Sequence, residues 1–236
     1  MLNRGGEIRI MPDRVTASVR SSVVADRTLR QSASWQEALS AAREMLPGWK
    51  KMGFVFSDLW VRYDMVKLGN RLMDNKDMDL LARAHFASSH PDCASWPIRH
   101  ALCGEYLLVC AMDPEFFAAM QSLSADSGAS LVRAEPLFST LFDSASRDLS
   151  DFSGWLLIDE PGMLIACWID KGIPVSIHQR LAEGNHGEAA GLLLQRLSAL
   201  LGVQSQEVRV LSCMEEPIAL DGFQVRRIET KAGAHA

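Results

Sequence analysis

One order of elements occurs twice along this chain of 236 residues, and that repetition constrains the fold more than any single motif does. The first copy opens with Glu7-Ile8-Arg9-Ile10-Met11, turns at Pro12-Asp13 and returns through Val15 to Val19. Its alternation of apolar and polar residues predicts a hairpin with one wet face. A third strand is expected from Ser22 to Arg30. Ser34 then stands three residues before Glu37, the spacing of a capping box, and Trp35, Ala38, Leu39, Ala42, Met45 and Leu46 recur at helical spacing. Pro47-Gly48 stops that helix, and Met52 to Phe56 reads as a short buried strand. The unit is β-β-β-α-β.

The second copy begins at Trp155. A strand runs to Ile158, a tight Pro161-Gly162 turn follows, and Met163 to Ile169 returns. After a turn at Lys171-Gly172 come a strand from Ile173 to His178 and a helix from about Gly187, with Ala189, Leu192, Leu193, Leu197, Leu200 and Leu201 on one stripe. Gly202 ends the helix before the strand Glu207 to Leu211.

Between the copies, Trp60 to Val66 alternates as a strand, and Met78, Leu81, Ala82, His85 and Phe86 mark a helix after Asn75. Pro97 to Leu102 and Tyr106 to Met112 predict a hairpin about Cys103-Gly104-Glu105. Asp113-Pro114-Glu115, an N-cap acid before a first-turn proline, starts a helix through Phe116, Phe117, Met120 and Leu123. A strand from Ser130 to Arg133 and a helix from about Pro136 to Ala145 follow, and Ser146 to Ser153 reads as the hinge between halves.

Composition narrows the function classes. A hydrophobic share of 48% and a charged share of 22% describe an ordinary globular chain. A net charge of -5 with scattered basic residues gives no footprint for nucleic acid. No apolar run approaches the roughly 18 to 20 residues that cross a bilayer, and Leu2-Asn3-Arg4-Gly5-Gly6 is no signal core, so a cytoplasmic chain without direct membrane insertion is expected. Cys93, Cys103, Cys110, Cys167 and Cys213 are odd in number and lie mostly in apolar runs, which predicts reduced thiols.

Two β-β-β-α-β units with an insertion after the first describe the ribonuclease H-like α/β layout of actin, sugar kinases and Hsp70-type chaperones. Phe56-Ser57-Asp58-Leu59-Trp60-Val61-Arg62-Tyr63, the helix ending at Phe86, and Trp155-Leu156-Leu157-Ile158-Asp159-Glu160-Pro161-Gly162 resemble the actin-like proteins PilM and GspL of type IV pilus and type II secretion assemblies. The resemblance covers roughly residues 7 to 212. It implies an actin-type ATPase fold in two halves: residues 1–148 with an insertion at 58–112, then a shorter, truncated half at 149–230, with 231–236 a disordered tail. Only Phe223 to Ile228 is left for a last strand of the second half. The resemblance also implies a cytoplasmic scaffold that binds a short segment of a bitopic inner-membrane protein and is peripheral to that membrane through it. Self-association as a homodimer is a further option.

In that fold the two hairpin turns hold phosphate, through backbone N–H groups of small residues and acids that bind Mg²⁺. Asp13, Asp159 and Gly162 stand where such a site is expected. The first turn, Met11-Pro12-Asp13-Arg14, has no glycine and loses an N–H to its proline. The second inserts Glu160-Pro161, which adds negative charge and removes another donor. No Gly-Gly pair follows Leu211, and no P-loop or GxGxxG occurs. The expectation is a degenerate nucleotide site in a protein that is not an enzyme and takes no cofactor, ATP and Mg²⁺ included. The alternative is an ATPase or sugar-kinase-like enzyme of the same superfamily.

Other chemistry is thinner. His90, Cys93, His100 and Cys103 form two His-x-x-Cys pairs, but residues three apart on an extended strand face opposite ways, so no metal site is expected. His85 and His178 read as core or boundary residues. Trp35, Trp49, Trp60, Trp96, Trp155 and Trp168 read as core anchors, with Trp60 or Trp168 open to use by a partner groove.

Overall fold

A computed structural model describes residues 5–19, 22–30, 34–46, 48–69, 73–214 and 218–229. The first copy forms β1 (Gly5–Ile10), β2 (Arg14–Val19), β3 (Ser22–Thr28), α1 (Trp35–Met45) and β4 (Lys51–Phe56). The expected capping box is present, with Ser34 accepting the Glu37 N–H and Glu37 accepting the Ser34 N–H. The helix stop assigned to Pro47 and the tail at 231–236 lie outside the described residues. Between the copies come β5 (Val61–Lys67), α2 (Asn75–Ser89), β6 (Ile98–Cys103), β7 (Tyr106–Met112), α3 (Pro114–Asp126), β8 (Ser130–Pro136) and α4 (Leu137–Leu149). The second copy is β9 (Gly154–Glu160), β10 (Met163–Asp170), β11 (Ile173–Leu181), α5 (His186–Leu201) and β12 (Glu207–Ser212), followed by β13 (Gln224–Arg227).

The duplication read in the sequence is a duplication of sheet topology. One sheet has the order β3-β2-β1-β4-β8 and the other β11-β10-β9-β12-β13. In both, the first three strands pair antiparallel and the last two join in parallel. The second half is the shorter, since β12 reaches β13 through a segment with no helix among its described residues, whereas α3 precedes β8 in the first. A third sheet, β5-β7-β6, is inserted between β4 and β8.

Strand alternation sorts the apolar residues into three cores. Trp155, Leu157, Leu164, Ala166, Val208 and Val210 turn to α5, which meets them with Ala190, Leu194 and Leu197. Leu156, Ile158, Ile165, Cys167 and Leu211 turn the other way and join the large core around Phe54, Phe56, Phe138 and Leu141 that knits the halves together. Ile98, Leu107, Val109 and Ala111 of the inserted sheet pack under α2 on Ala82 and Phe86.

The hinge expected at 146–153 is corrected. α4 continues to Leu149 because Ala145 and Leu149 are buried on its apolar stripe, which leaves only 150–153 as the junction. Trp60 is also removed from the partner surface: it is 7% exposed and packs on Phe116, with ring centroids 5.0 Å apart. Trp168 stands edge-on to Trp155 at 5.2 Å.

Candidate functional site

The residues expected to hold phosphate lie at two separate turns, Asp13 between β1 and β2, and Asp159 and Gly162 where β9 turns into β10. Asp13 lies in the β1–β2 turn, which the Met11 N–H closes on Arg14 O at 2.9 Å, and its own carbonyl accepts the Leu29 N–H. Burial raises its carboxyl above the usual range against the pull of a backbone hydrogen bond and Arg14. No hydrogen bond or ion pair among the described residues joins Asp13 to Asp159. Gly162 has φ +80°, the left-handed value required after Pro161 in a type II turn, so the glycine is accounted for by the turn.

Asp159, at the end of β9, does stand on a crevice. A cavity of about 880 Å³ is lined by Asp159, the first turns of α5 from Asn185 to Glu188, Gly191, Leu192, Gln195, Met214, Ile218, Ala219 and Asp221. Among the described lining residues the charged side chains are Asp159, Glu188 and Asp221, with no lysine or arginine. The Asp159 carboxyl is already engaged: His186 Nδ1 lies 2.6 Å from Oδ1, and the Ser212 hydroxyl donates to Oδ2 at 3.0 Å. The pairing assigns the ring proton to Nδ1 and leaves Nε2 for another partner. Polyphosphate would meet these acids, with His186 the one basic side chain among the described lining residues.

Glu160 was expected to add its charge beside Asp159. Successive residues of a strand face opposite ways, so it points instead into the core between the halves, where it is fully buried. There Glu160 Oε1 accepts the Asp58 N–H at 3.0 Å. Asp58, also fully buried, accepts the Tyr63 hydroxyl on Oδ1 at 2.6 Å and the Phe138 N–H on Oδ2 at 2.8 Å. Burial pushes Asp58 up to about 7 against the lowering by Tyr63 and Phe138. Burial first, and the Asp58 charge second, hold Glu160 well above the usual carboxylate range. The side chain of Gln179 on β11 completes the junction, with Nε2 donating to Asp58 O at 3.1 Å and Val61 O at 3.2 Å, and Oε1 accepting the Tyr63 N–H at 3.0 Å.

A separate groove of about 460 Å³ runs between the inserted sheet and β8. The face of β7 turned away from α2 supplies Leu108, Cys110 and Met112, α3 supplies Phe117, and β8 supplies residues 131–136. β8 ends one sheet and β6 ends the other, so two strand edges border the groove. β8 is irregular where Met52 pairs with Leu131 and Gly53 with Arg133, which leaves Val132 outside the ladder and 59% exposed.

Sequence reasoning missed His186, Ser212, Gln179 and Val132. The Gly184-Asn185-His186 run did mark a helix start, and Asn185 caps α5 by accepting the Glu188 N–H. No group of three or more His, Cys, Asp or Glu side chains that could hold a metal ion forms among the described residues. His85 instead lies 3.2 Å from Asp64. No helix of the described residues is long and apolar enough to cross a membrane.

No family model matches the chain, and no curated protein does. Solved structures do. A Bacteroides thetaiotaomicron protein of actin-like ATPase fold and unknown function superposes with a TM-score of 0.65 at 12% identity, over 91% of this chain and 84% of that one. A PilM–PilN type IV pilus biogenesis complex gives a TM-score of 0.64 at 12% identity, over 88% of this chain and 81% of that one. The cytoplasmic domain of EpsL, an inner-membrane component of the Vibrio cholerae type II secretion system, gives 0.58 at 12% identity, over 98% and 92%. The fold is the actin-like ATPase fold.

Proposed function

With the actin-like fold as premise, we propose that this chain is a non-catalytic scaffold of a pilus-biogenesis or type II secretion-like assembly. It binds a short extended segment of a membrane-anchored protein in the groove between β7 and β8. The observation that carries the reading is that groove: an apolar floor between two strand edges, with an exposed Val132 beside it. An added strand could pair its backbone along β8 and set alternate side chains on Leu108, Met112 and Phe117. Two solved proteins of the same fold belong to such assemblies, and one of them is in complex with PilN.

Capture from detergent-solubilised membranes, followed by calorimetry with the cytoplasmic peptide of the protein recovered, tests it. A peptide bound by the wild type and weakened tenfold or more by Val132→Lys is expected; binding that is indifferent to Val132→Lys and Met112→Glu rejects the groove.

The second reading, a nucleotide-dependent enzyme, draws support from the crevice beside Asp159. Its acid lining and the absence of a phosphate-holding turn weigh against it. A titration with Mg-ATP is expected to leave the melting temperature unchanged, whereas a rise abolished by Asp159→Ala would favour the enzyme.

A further inference from the structure

Asp58 and Glu160 stand 102 positions apart in the sequence and belong to different halves, yet they share a hydrogen bond with no water between them. The Asp58 carboxyl has a donor on each oxygen, Tyr63 and Phe138. Glu160 has the Asp58 N–H on Oε1 and the buried Ser57 hydroxyl beside it, while its buried Oε2 has no partner in hydrogen-bond geometry. Around the pair stand Tyr63 from β5, Cys110 from β7, Asp159 from β9 itself and Cys213 after β12, with Arg9 of β1 near Cys213. Among the described residues no ion pair reaches either carboxyl.

Two fully buried carboxyls on residues joined by a hydrogen bond, with no cation paired to either, do not both ionise. The two donors on Asp58 favour its charge, so once the pair holds a single proton, above about pH 7, that proton resides on Glu160. An ionised Glu160 at this place would be a buried charge with the Ser57 hydroxyl and one backbone N–H beside it and no cation, and water can reach it only if the halves part.

We propose that Asp58 and Glu160 form a proton-held latch between the two halves of the fold. With Glu160 neutral, its Oε1 keeps the Asp58 N–H and the halves stay closed. Release of the proton to solvent converts Glu160 to a carboxylate that is stable only when hydrated, and the contact opens. Tyr63 ties the latch to the groove, because it donates to Asp58 and also lines the groove wall.

The test follows amide exchange at Asp58 and Phe138 by NMR on the full chain from pH 6 to 8.5, after correction for the intrinsic exchange rate. Opening that releases one proton becomes about tenfold more favourable per pH unit. Wild type is expected to show that slope. Glu160→Gln, which keeps the acceptor and cannot ionise, is expected to show almost none above about pH 7, where Asp58 has given up its own proton. A flat wild type, or a Glu160→Gln slope equal to that of wild type, overturns the latch. If Glu160→Gln does not fold, Asp58→Asn replaces it: with no charge at Asp58 the wild-type slope must move to lower pH, and a slope left in place overturns the proposal.

Discussion

Asp159 and Glu160 are adjacent on β9 and face different worlds, one a crevice with His186 and Ser212, the other a dry core with Asp58. Tyr63→Phe leaves Asp58 Oδ1 without its donor in a buried site and is expected to cost about 1 to 3 kcal/mol in urea unfolding. The carboxyls also set a pH dependence. Both are raised in the folded chain, Asp58 from 3.8 to about 7 and Glu160 well above 4.5, so the folded state holds protons that the unfolded state has lost. That contribution is complete below the ordinary carboxylate range and is lost as pH rises through about 7. Urea unfolding at pH 6 and pH 8 should give a lower free energy at pH 8, by roughly 1 to 3 kcal/mol. Equal values would show that the pair is ionised and hydrated at both pH values. None of this was legible in the sequence, where an acid after Asp159 looks like an addition to its charge; only the alternation of a strand end, set by the tertiary register, sends it elsewhere.

At the scale of elements the chain was most readable where local chemistry decides. The Asp113-Pro114 helix start, the Ser34 capping box and the turn at Lys171-Gly172 all take the forms their residues dictate. Asp113 accepts the N–H groups of Glu115 and Phe116, so Asp113→Ala should destabilise by about 1 kcal/mol, read as a lower urea midpoint. Lys171 is the exception within its turn. It holds φ +48° beside Gly172 at +79°, the paired left-handed conformation of a type I′ hairpin, which a long L side chain adopts at a cost. Lys171→Asn is expected to stabilise by roughly 0.5 to 1 kcal/mol, and a lower melting point would show that the lysine side chain contributes more than its backbone costs. Gly172 tolerates no such change, since an added Cβ would stand 2.6 Å from Ser150 O at the junction of the halves. The end of α4 was misplaced for a related reason: Ser146 to Ser150 is polar enough to read as a linker, and Leu149 is helical because a core is waiting for it.

Across the whole molecule, the inserted sheet does more than decorate the first half. Gln179 reaches from β11 to three backbone groups around Asp58 and Tyr63, so the second half is fastened to the insertion as well as to the main sheet. Gln179→Ala should cost about 1 to 3 kcal/mol and increase amide exchange through β5 while leaving α5 unchanged; an effect spread evenly over both would argue against a local clasp. The sequence by itself determined the two β-β-β-α-β units, their hairpins and the inserted strands, because apolar periodicity, caps and turn residues act over a few neighbours. It also showed a first hairpin turn without glycine and a second that keeps Gly162 but inserts Glu160-Pro161. The tertiary structure alone decided that Asp159 meets His186 and Ser212, that Glu160 meets Asp58 across the halves, and that β8 and the inserted sheet leave a groove between them. Those are contacts between residues far apart in the chain, fixed by sheet order and the packing of one core against another, and no local pattern carries them.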